Sequence, residues 1–172
     1  ILSRIHYKKG TKMYEFYNEF PDLLDIDETL RKKGSMFRKN ALQYHKVLSK
    51  SVESNFNFLD DLRKLNKTKE LPKKEKIDSK IITSKIKKLA KHYGADLVGI
   101  AKMQDDHYYS IRGRRKETYG KKVDFPYKYG IVIAVQMDYD YMLEAPRINE
   151  AIETSNIYIK VAMISMQLSY FI

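Results

Sequence analysis

Apolar residues recur at helical spacing in two parts of the chain and run together in two shorter segments. From Asn40 to Leu62 the positions Leu42, Val47, Leu48, Val52, Phe56, Leu59 and Leu62 approximate one helical face. After residue 77 the period sharpens. Ile82, Ile86, Leu89 and Tyr93 stand at i, i+4, i+7 and i+11, with Asp78 or Ser79 as N-cap and Gly94 as the stop. Lysines at 80, 85, 87, 88 and 91 fill the other positions, as a solvated face requires. The run Ala95-Asp96-Leu97-Val98-Gly99-Ile100-Ala101 follows directly and predicts a buried strand. A second strand is predicted over Tyr129 to Met137, where β-branched residues without charge point to a central strand covered on both faces. Asp138 to Glu144 read as a polar turn or short helix. Ala145-Pro146 then breaks the chain before a long terminal helix.

The N-terminal section is helical and rich in aromatics. Tyr14, Tyr17, Leu23 and Leu24 surround a Phe20-Pro21 break, and Asp25 to Lys33 predict a short charged helix ending before Gly34. Residues 63–76, RKLNKTKELPKKEK, lack apolar periodicity and read as a basic linker. The expected organisation is a helical N-terminal unit with its linker over 1–76. Residues 77–172 then give helix, strand, long loop, strand and helix, the beginning of an α/β layer.

Composition narrows the chemistry. At 172 residues, 43% hydrophobic and 32% charged, the chain has the apolar content of a folded domain. It has no cysteine, which excludes a disulfide scaffold, a thiolate nucleophile and any cysteine-held iron–sulfur cluster within these residues. The four histidines, His6, His45, His92 and His107, are too dispersed for a histidine-built metal site. Lys+Arg exceed Asp+Glu by 33 to 22, and the excess is concentrated: residues 63–91 hold 12 basic and 3 acidic side chains, residues 112–122 hold 6 and 1. Such stretches suit nucleic acid or another polyanion. No recognition helix, RNA-binding aromatic motif or zinc finger accompanies them, so a solvated basic surface is expected and nucleic acid is not.

Asp105-Asp106-His107 suggests metal ligation or acid/base work, but adjacent side chains diverge, and a polar loop is the expected reading. Tyr108 and Tyr109 can line a pocket; Met137, Met142, Met163 and Met166 suit core packing. No Gly-rich phosphate loop or serine nucleophile motif occurs. The apolar run 157–172 is interrupted by Lys160 and is shorter than the roughly 20 residues that span a bilayer, which favours a buried helix. Opening on Ile1-Leu2-Ser3 and closing on Tyr170-Phe171-Ile172, the chain reads as a piece of a longer protein.

Taken in order, several segments form a pattern. Gly94-Ala95-Asp96-Leu97-Val98-Gly99-Ile100-Ala101, Tyr109-Ser110, Pro126-Tyr127-Lys128-Tyr129, Ile131 to Met137, and Met142 with Ala145-Pro146 together resemble the corrinoid-dependent reductive dehalogenases. Ser3-Arg4, Gly10-Thr11, Tyr14, Tyr17, Pro21-Asp22-Leu23 and Ile26-Asp27 resemble the N-terminal section of the same family. Departures fall at His107, Arg147 and Ile159, where the family commonly has Trp, a small polar residue and Ser. The resemblance implies an α/β fold: a helical N-terminal unit followed by the start of a nitroreductase-like corrinoid-binding core, incomplete at the C-terminus. It implies reductive removal of halide from an organohalide, with a corrinoid (cobalamin) and two 4Fe–4S clusters as cofactors. The partners implied are that substrate and an electron donor, with membrane association possible through a further protein. The cluster cysteines and the family's catalytic residues correspond to no part of this chain, so no residue here is assigned as catalytic. Tyr109, Ser110 and Tyr158 match positions of the corrinoid core and are the candidate cofactor-binding residues. The resemblance leaves location open between the outer face of the cytoplasmic membrane and the cytoplasm. Two other readings stand beside it: an epoxyqueuosine-reductase-like corrinoid iron–sulfur enzyme, and a cluster-free module binding a corrinoid or a polyanion.

Overall fold

The computed structural model describes residues 4, 7–33, 37–65, 76–113, 117–124 and 127–172. The central part of the basic linker, Ser3, Arg114 to Lys116 and Pro126 lie outside the described residues. The protein is a mixed α and β structure dominated by helices. Contacts divide it into two compact units, Ile1–Ser35 with Lys102–Lys128, and Met36–Ala101 with Tyr129–Ile172. The helical section expected over 1–76 is therefore shared between them, and the loop after the first strand groups with the N-terminal residues.

In the first unit a 3-10 turn, Lys12–Glu15, runs into α1 (Phe16–Glu19), and α2 (Asp22–Lys33) follows the Phe20-Pro21 break. α2 begins three residues earlier than the charge pattern suggested, with Asp22 and Asp25 in its first turn and Arg31, Lys32 and Lys33 in its last, matching the helix dipole at both ends. Tyr7, Met13 and Tyr17 form the buried centre, with Phe16 and Tyr119 packed around them. The rings meet edge to face: Tyr7 lies 5.6 Å from Phe16 and 5.7 Å from Tyr119 between centroids. An antiparallel bridge joins Ile111 and Lys122.

In the second unit α3 (Leu48–Leu65) buries Val52, Leu59 and Leu62, while Leu42 and Val47, counted in the same apolar series, are exposed ahead of it. α4 (Ser79–His92) starts at Asp78, whose Oδ1 accepts from the N–H groups of Lys80 and Ile81 at 2.9 and 3.0 Å. Its end is a Schellman motif: Gly94 N–H donates to Lys91 C=O and Ala95 N–H to Ala90 C=O, both at 3.0 Å, with Gly94 at φ +108°. The apolar contact typical of that motif is made by Ala90 and Ala95, both buried in one cluster with Ile164 and Leu168. Of the α4 lysines, Lys80, Lys85, Lys88 and Lys91 are exposed and Lys87 is half-buried.

The strands are β1 (Leu97–Lys102) and β2 (Tyr129–Ala134), and they pair into a two-stranded sheet. Asp96 N–H donates to Ala134 C=O at 2.9 Å, joining the start of β1 to the end of β2, so the pair is antiparallel. Val98, Ile131, Ile133 and Val135 pack on the cluster shared by α4 and the last helix. The other face is open: Leu97 and Val132 are 68% and 60% exposed. The expectation of a central strand covered on both faces is thus corrected. An uncharged β-branched run has no polar alternation to mark which face meets solvent.

β2 also stops at Ala134 rather than at Met137. The N–H of Gln136 leaves the ladder for the carboxylate of Asp96, at 2.7 Å. Asp138 then caps the short α5 (Tyr139–Leu143), accepting from Asp140 and Tyr141 N–H at 3.0 and 3.1 Å. α6 (Ile148–Phe171) follows the turn at Pro146 and is 24 residues, about 36 Å, long. It packs on α3, α4 and α5. Among the described residues no helix is long and apolar enough to cross a membrane.

Gly94→Ala is expected to cost about 1 kcal/mol, because only the left-handed backbone opposes the added Cβ, which meets no atom within 4 Å. Gly99→Ala, on the open sheet face and equally free of neighbours, is expected to be neutral or slightly stabilising. Urea midpoints check both; an unchanged midpoint for Gly94→Ala would contradict the helix end described.

Candidate functional site

α6 carries Glu153, Asn156, Lys160 and Met163 at i, i+3, i+7 and i+10, which places them on one stripe. This stripe forms a wall of a cavity of about 1070 Å³ in the second unit. The extended residues Val135 to Asp138 and the α5 residues Tyr139 and Tyr141 form a second wall, and Tyr93, Gly94 and Asp96 close the side at the end of α4. Asn55 reaches the cavity from α3.

Three carboxylates line this space, and each is already engaged. Glu153, only 5% exposed, accepts from Asp138 N–H at 2.9 Å and from Asn156 Nδ2 at 3.1 Å. Asp138 caps α5, and Asp96 holds Gln136 N–H. Below them Asn55 Nδ2 donates to Ser155 Oγ at 2.9 Å, and Ser155 Oγ donates to Ile152 C=O at 2.8 Å, so the fully buried Ser155 is satisfied in both roles. Lys160 is exposed, and its ammonium makes no ion pair or hydrogen bond with another described residue. Among the described lining residues there is no His, Cys or Ser, and Lys160 is the one basic side chain. The lining thus offers amide, phenol and ammonium groups over an apolar floor of Val135, Met137, Ile159 and Ile164. Among the described lining residues no nucleophile is paired with a base.

The sequence-derived candidates lie elsewhere. Tyr109 is 86% exposed in the first unit, and Ser110 beside it accepts Val123 N–H through its carbonyl at 3.1 Å. Tyr158 is in the second unit on α6, 56% exposed, with its ring 6.0 Å from Phe56 of α3. Two residues from both Asn156 and Lys160, it points away from the stripe that lines the cavity. Asp105-Asp106-His107 form a 3-10 turn in which His107 Nδ1 accepts Gln104 N–H at 3.2 Å. Among the described residues no group of three or more His, Cys, Asp or Glu is placed to hold a metal ion.

A second polar cluster occupies the first unit. Arg4 grips Asp27 through Nε to Oδ2 at 2.6 Å and a second nitrogen to Oδ1 at 3.2 Å. Tyr17 O–H donates to Asp27 Oδ2 at 2.9 Å, and Arg31 donates to the Tyr17 oxygen. The Arg4 guanidinium holds the Asp27 carboxyl below its usual range; burial opposes this, and the Tyr17 hydroxyl adds to it. Burial, then the bond to Asp27, pushes the Tyr17 phenol up, and burial with the neighbouring Tyr7 hydroxyl pushes Tyr119 up to about 12. With its groups turned on one another beneath the aromatic centre, this cluster is structural.

No family model, no curated protein and no solved structure matches the chain.

The titration of the first unit follows from these shifts. A depressed Asp27 stabilises the fold fully above its ordinary value of 3.8 and loses that contribution as pH falls through the lower folded value. Asp27→Asn is expected to lower the Tm at neutral pH, with the gap to the parent protein closing in acid. A raised Tyr119 stabilises fully below its ordinary value of 10.0 and loses that contribution as pH rises through about 12. Thermal melts across pH, followed by tyrosine circular dichroism, check both; an acid-independent gap for Asp27→Asn would contradict the pairing.

Proposed function

We propose that this chain is the N-terminal part of a corrinoid-dependent reductive dehalogenase, and that the cavity of its second unit receives the corrinoid. The observation that carries the proposal is convergence. Gly94 and Asp96 come from one segment of the resemblance, Val135, Gln136 and Met137 from another, and all five line the same cavity. Its volume of about 1070 Å³ lies just above the roughly 300–1,000 Å³ of ordinary ligand sites and suits a large cofactor better than a small organohalide. A nitroreductase-like core belongs to this proposal too, with α4, the strand pair and α6 as its beginning.

The donor set fits the group. A corrinoid is an apolar macrocycle fringed with amides, and Asn55, Gln136 and Asn156 are amides placed around an apolar floor. Asn55, Gln136, Asn156, Tyr139 and Tyr141 would hold its edge, and Met137, Met163, Ile159 and Ile164 would cover its methyl-rich surface. When bound, the corrinoid supplies the cobalt-centred electron transfer that expels halide, fed through two 4Fe–4S clusters. This chain has no cysteine to ligate those clusters. The contribution of its own residues is to seat the cofactor and exclude water from one side. Tyr109, Ser110 and Tyr158, which the resemblance assigns to the corrinoid core, do not line this cavity, and no contact with a corrinoid seated in it is assigned to them.

Titrating the purified chain with hydroxocobalamin, followed by absorbance and calorimetry, tests the reading. Saturable one-to-one binding is expected, and Met163→Trp, which narrows the cavity, is expected to weaken it by about tenfold or more. No saturable binding, or binding indifferent to Met163→Trp, would remove the proposal. Coding sequence downstream of residue 172 is expected to encode two cysteine-rich cluster motifs; a continuation without them would count against the dehalogenase reading.

A further inference from the structure

α4 is charged in a way that solvation alone does not require. Its residues Ser79–His92 include five lysines and no acidic side chain. The other helices of similar length mix signs. α2 places acids in its first turn and bases in its last, and α3 pairs Arg63 with Asp60 at 3.0 Å and Lys64 with Asp61 at 2.7 Å. Mixed signs would hydrate α4 equally well. Instead Lys85, Lys88 and Lys91 follow one another at i+3, and Lys80 stands in the first turn, where the helix dipole opposes a cation. Each of these placements costs helix stability. No ammonium of α4 is held in an ion pair or hydrogen bond with another described residue.

The same face carries exposed apolar side chains. Ile81 is 54% exposed, and Ile77, just ahead of the cap, is 52% exposed. Ile81, Lys85, Lys88 and His92 are all exposed and stand at i, i+4, i+7 and i+11, so the isoleucine lies in line with lysines, turned from the buried Ile86 and Ala90. A partner complementary to this face presents a dense layer of anionic groups with an apolar layer directly behind it. Duplex nucleic acid presents phosphates without such a layer, and α4 has no Arg, Asn or Gln to read base edges.

We propose that α4 docks on an anionic lipid surface, its lysines against the headgroup phosphates and Ile77 and Ile81 entering the boundary with the acyl chains. The helix lies along that surface with Leu89, Ala90 and Tyr93 still packed on the sheet cluster. This contact goes beyond the corrinoid reading and does not depend on it.

The test mixes the 172-residue chain with vesicles of phosphatidylcholine, either pure or with about one third phosphatidylglycerol, and measures bound protein by flotation at low and high salt. Binding is expected to the anionic vesicles and not to the neutral ones, and it weakens as salt rises. One lysine near such a surface is worth about fivefold in affinity, so Lys85→Gln with Lys88→Gln is expected to weaken binding by about tenfold or more. Lys8→Gln with Lys9→Gln removes the same charge from exposed positions of the first unit and is expected to change binding by less than about twofold. Ile81→Ser is expected to weaken vesicle binding by about threefold or more at either salt concentration. Helical circular dichroism monitors the fold of each variant, and Lys80→Gln with Lys91→Gln replaces a lysine pair that lowers it. Equal binding to the two vesicle types, equal losses from the α4 and first-unit pairs, binding indifferent to Ile81→Ser, or association with duplex DNA but not with vesicles would overturn the proposal.

Discussion

The packing of α6 against α3, α4 and α5 is the constraint on which the second unit depends. One helix of 24 residues must serve partners on several sides, so its sequence cannot be a simple amphipathic stripe. Ile148 and Ala151 pack with Val52 of α3, and Ile164 and Leu168 pack with Ala90 of α4 and with the sheet. Between these apolar contacts the helix buries Glu153 and Ser155. Both are tolerated because each finds hydrogen-bond partners, Glu153 from Asp138 and Asn156, Ser155 from Asn55 and Ile152. The Asn55 to Ser155 bond also fixes the register of two helices whose apolar contacts alone would permit sliding.

The cavity follows from the way β2 ends. Asp96 takes the N–H of Gln136 away from the strand ladder, and Asp138 turns the chain into α5 while giving its own N–H to Glu153. Residues 135–138 therefore leave the sheet as an extended wall standing opposite the polar stripe of α6. Two aspartates acting on backbone amides hold this wall in place.

Much of this was legible in the amino-acid pattern, and the remainder shows where pattern fails. Asp78, the apolar period from Ile82 and the stop at Gly94 located α4 because cap, face and terminus all agreed. The two strands were visible as apolar runs, but the open face of β2 was not, since Ile131, Val132 and Ile133 are equally apolar whichever way they point. The cavity stripe was hidden for the opposite reason. Of Glu153, Asn156 and Lys160 only Lys160 stood out, as an interruption of the apolar run 157–172, although their spacing by three and four is the signal that puts them on one side. Tyr158 drew attention through the resemblance, yet its position two residues from both Asn156 and Lys160 turns it toward Phe56. Arg4, Tyr17 and Asp27 were quoted as separate points of resemblance. Their bonding into one cluster is a tertiary fact that no local spacing encodes.

The central claim is that the space between α6 and the end of β2 is a cofactor seat. Amide hydrogen exchange of the chain, with and without saturating hydroxocobalamin, addresses it at the level of individual segments. Slower exchange is expected over Val135 to Tyr141 and along Ile152 to Ile164, the segments lining the cavity, with the first unit's helix Asp22–Lys33 unchanged. Protection confined to other segments, or none at all, would contradict it.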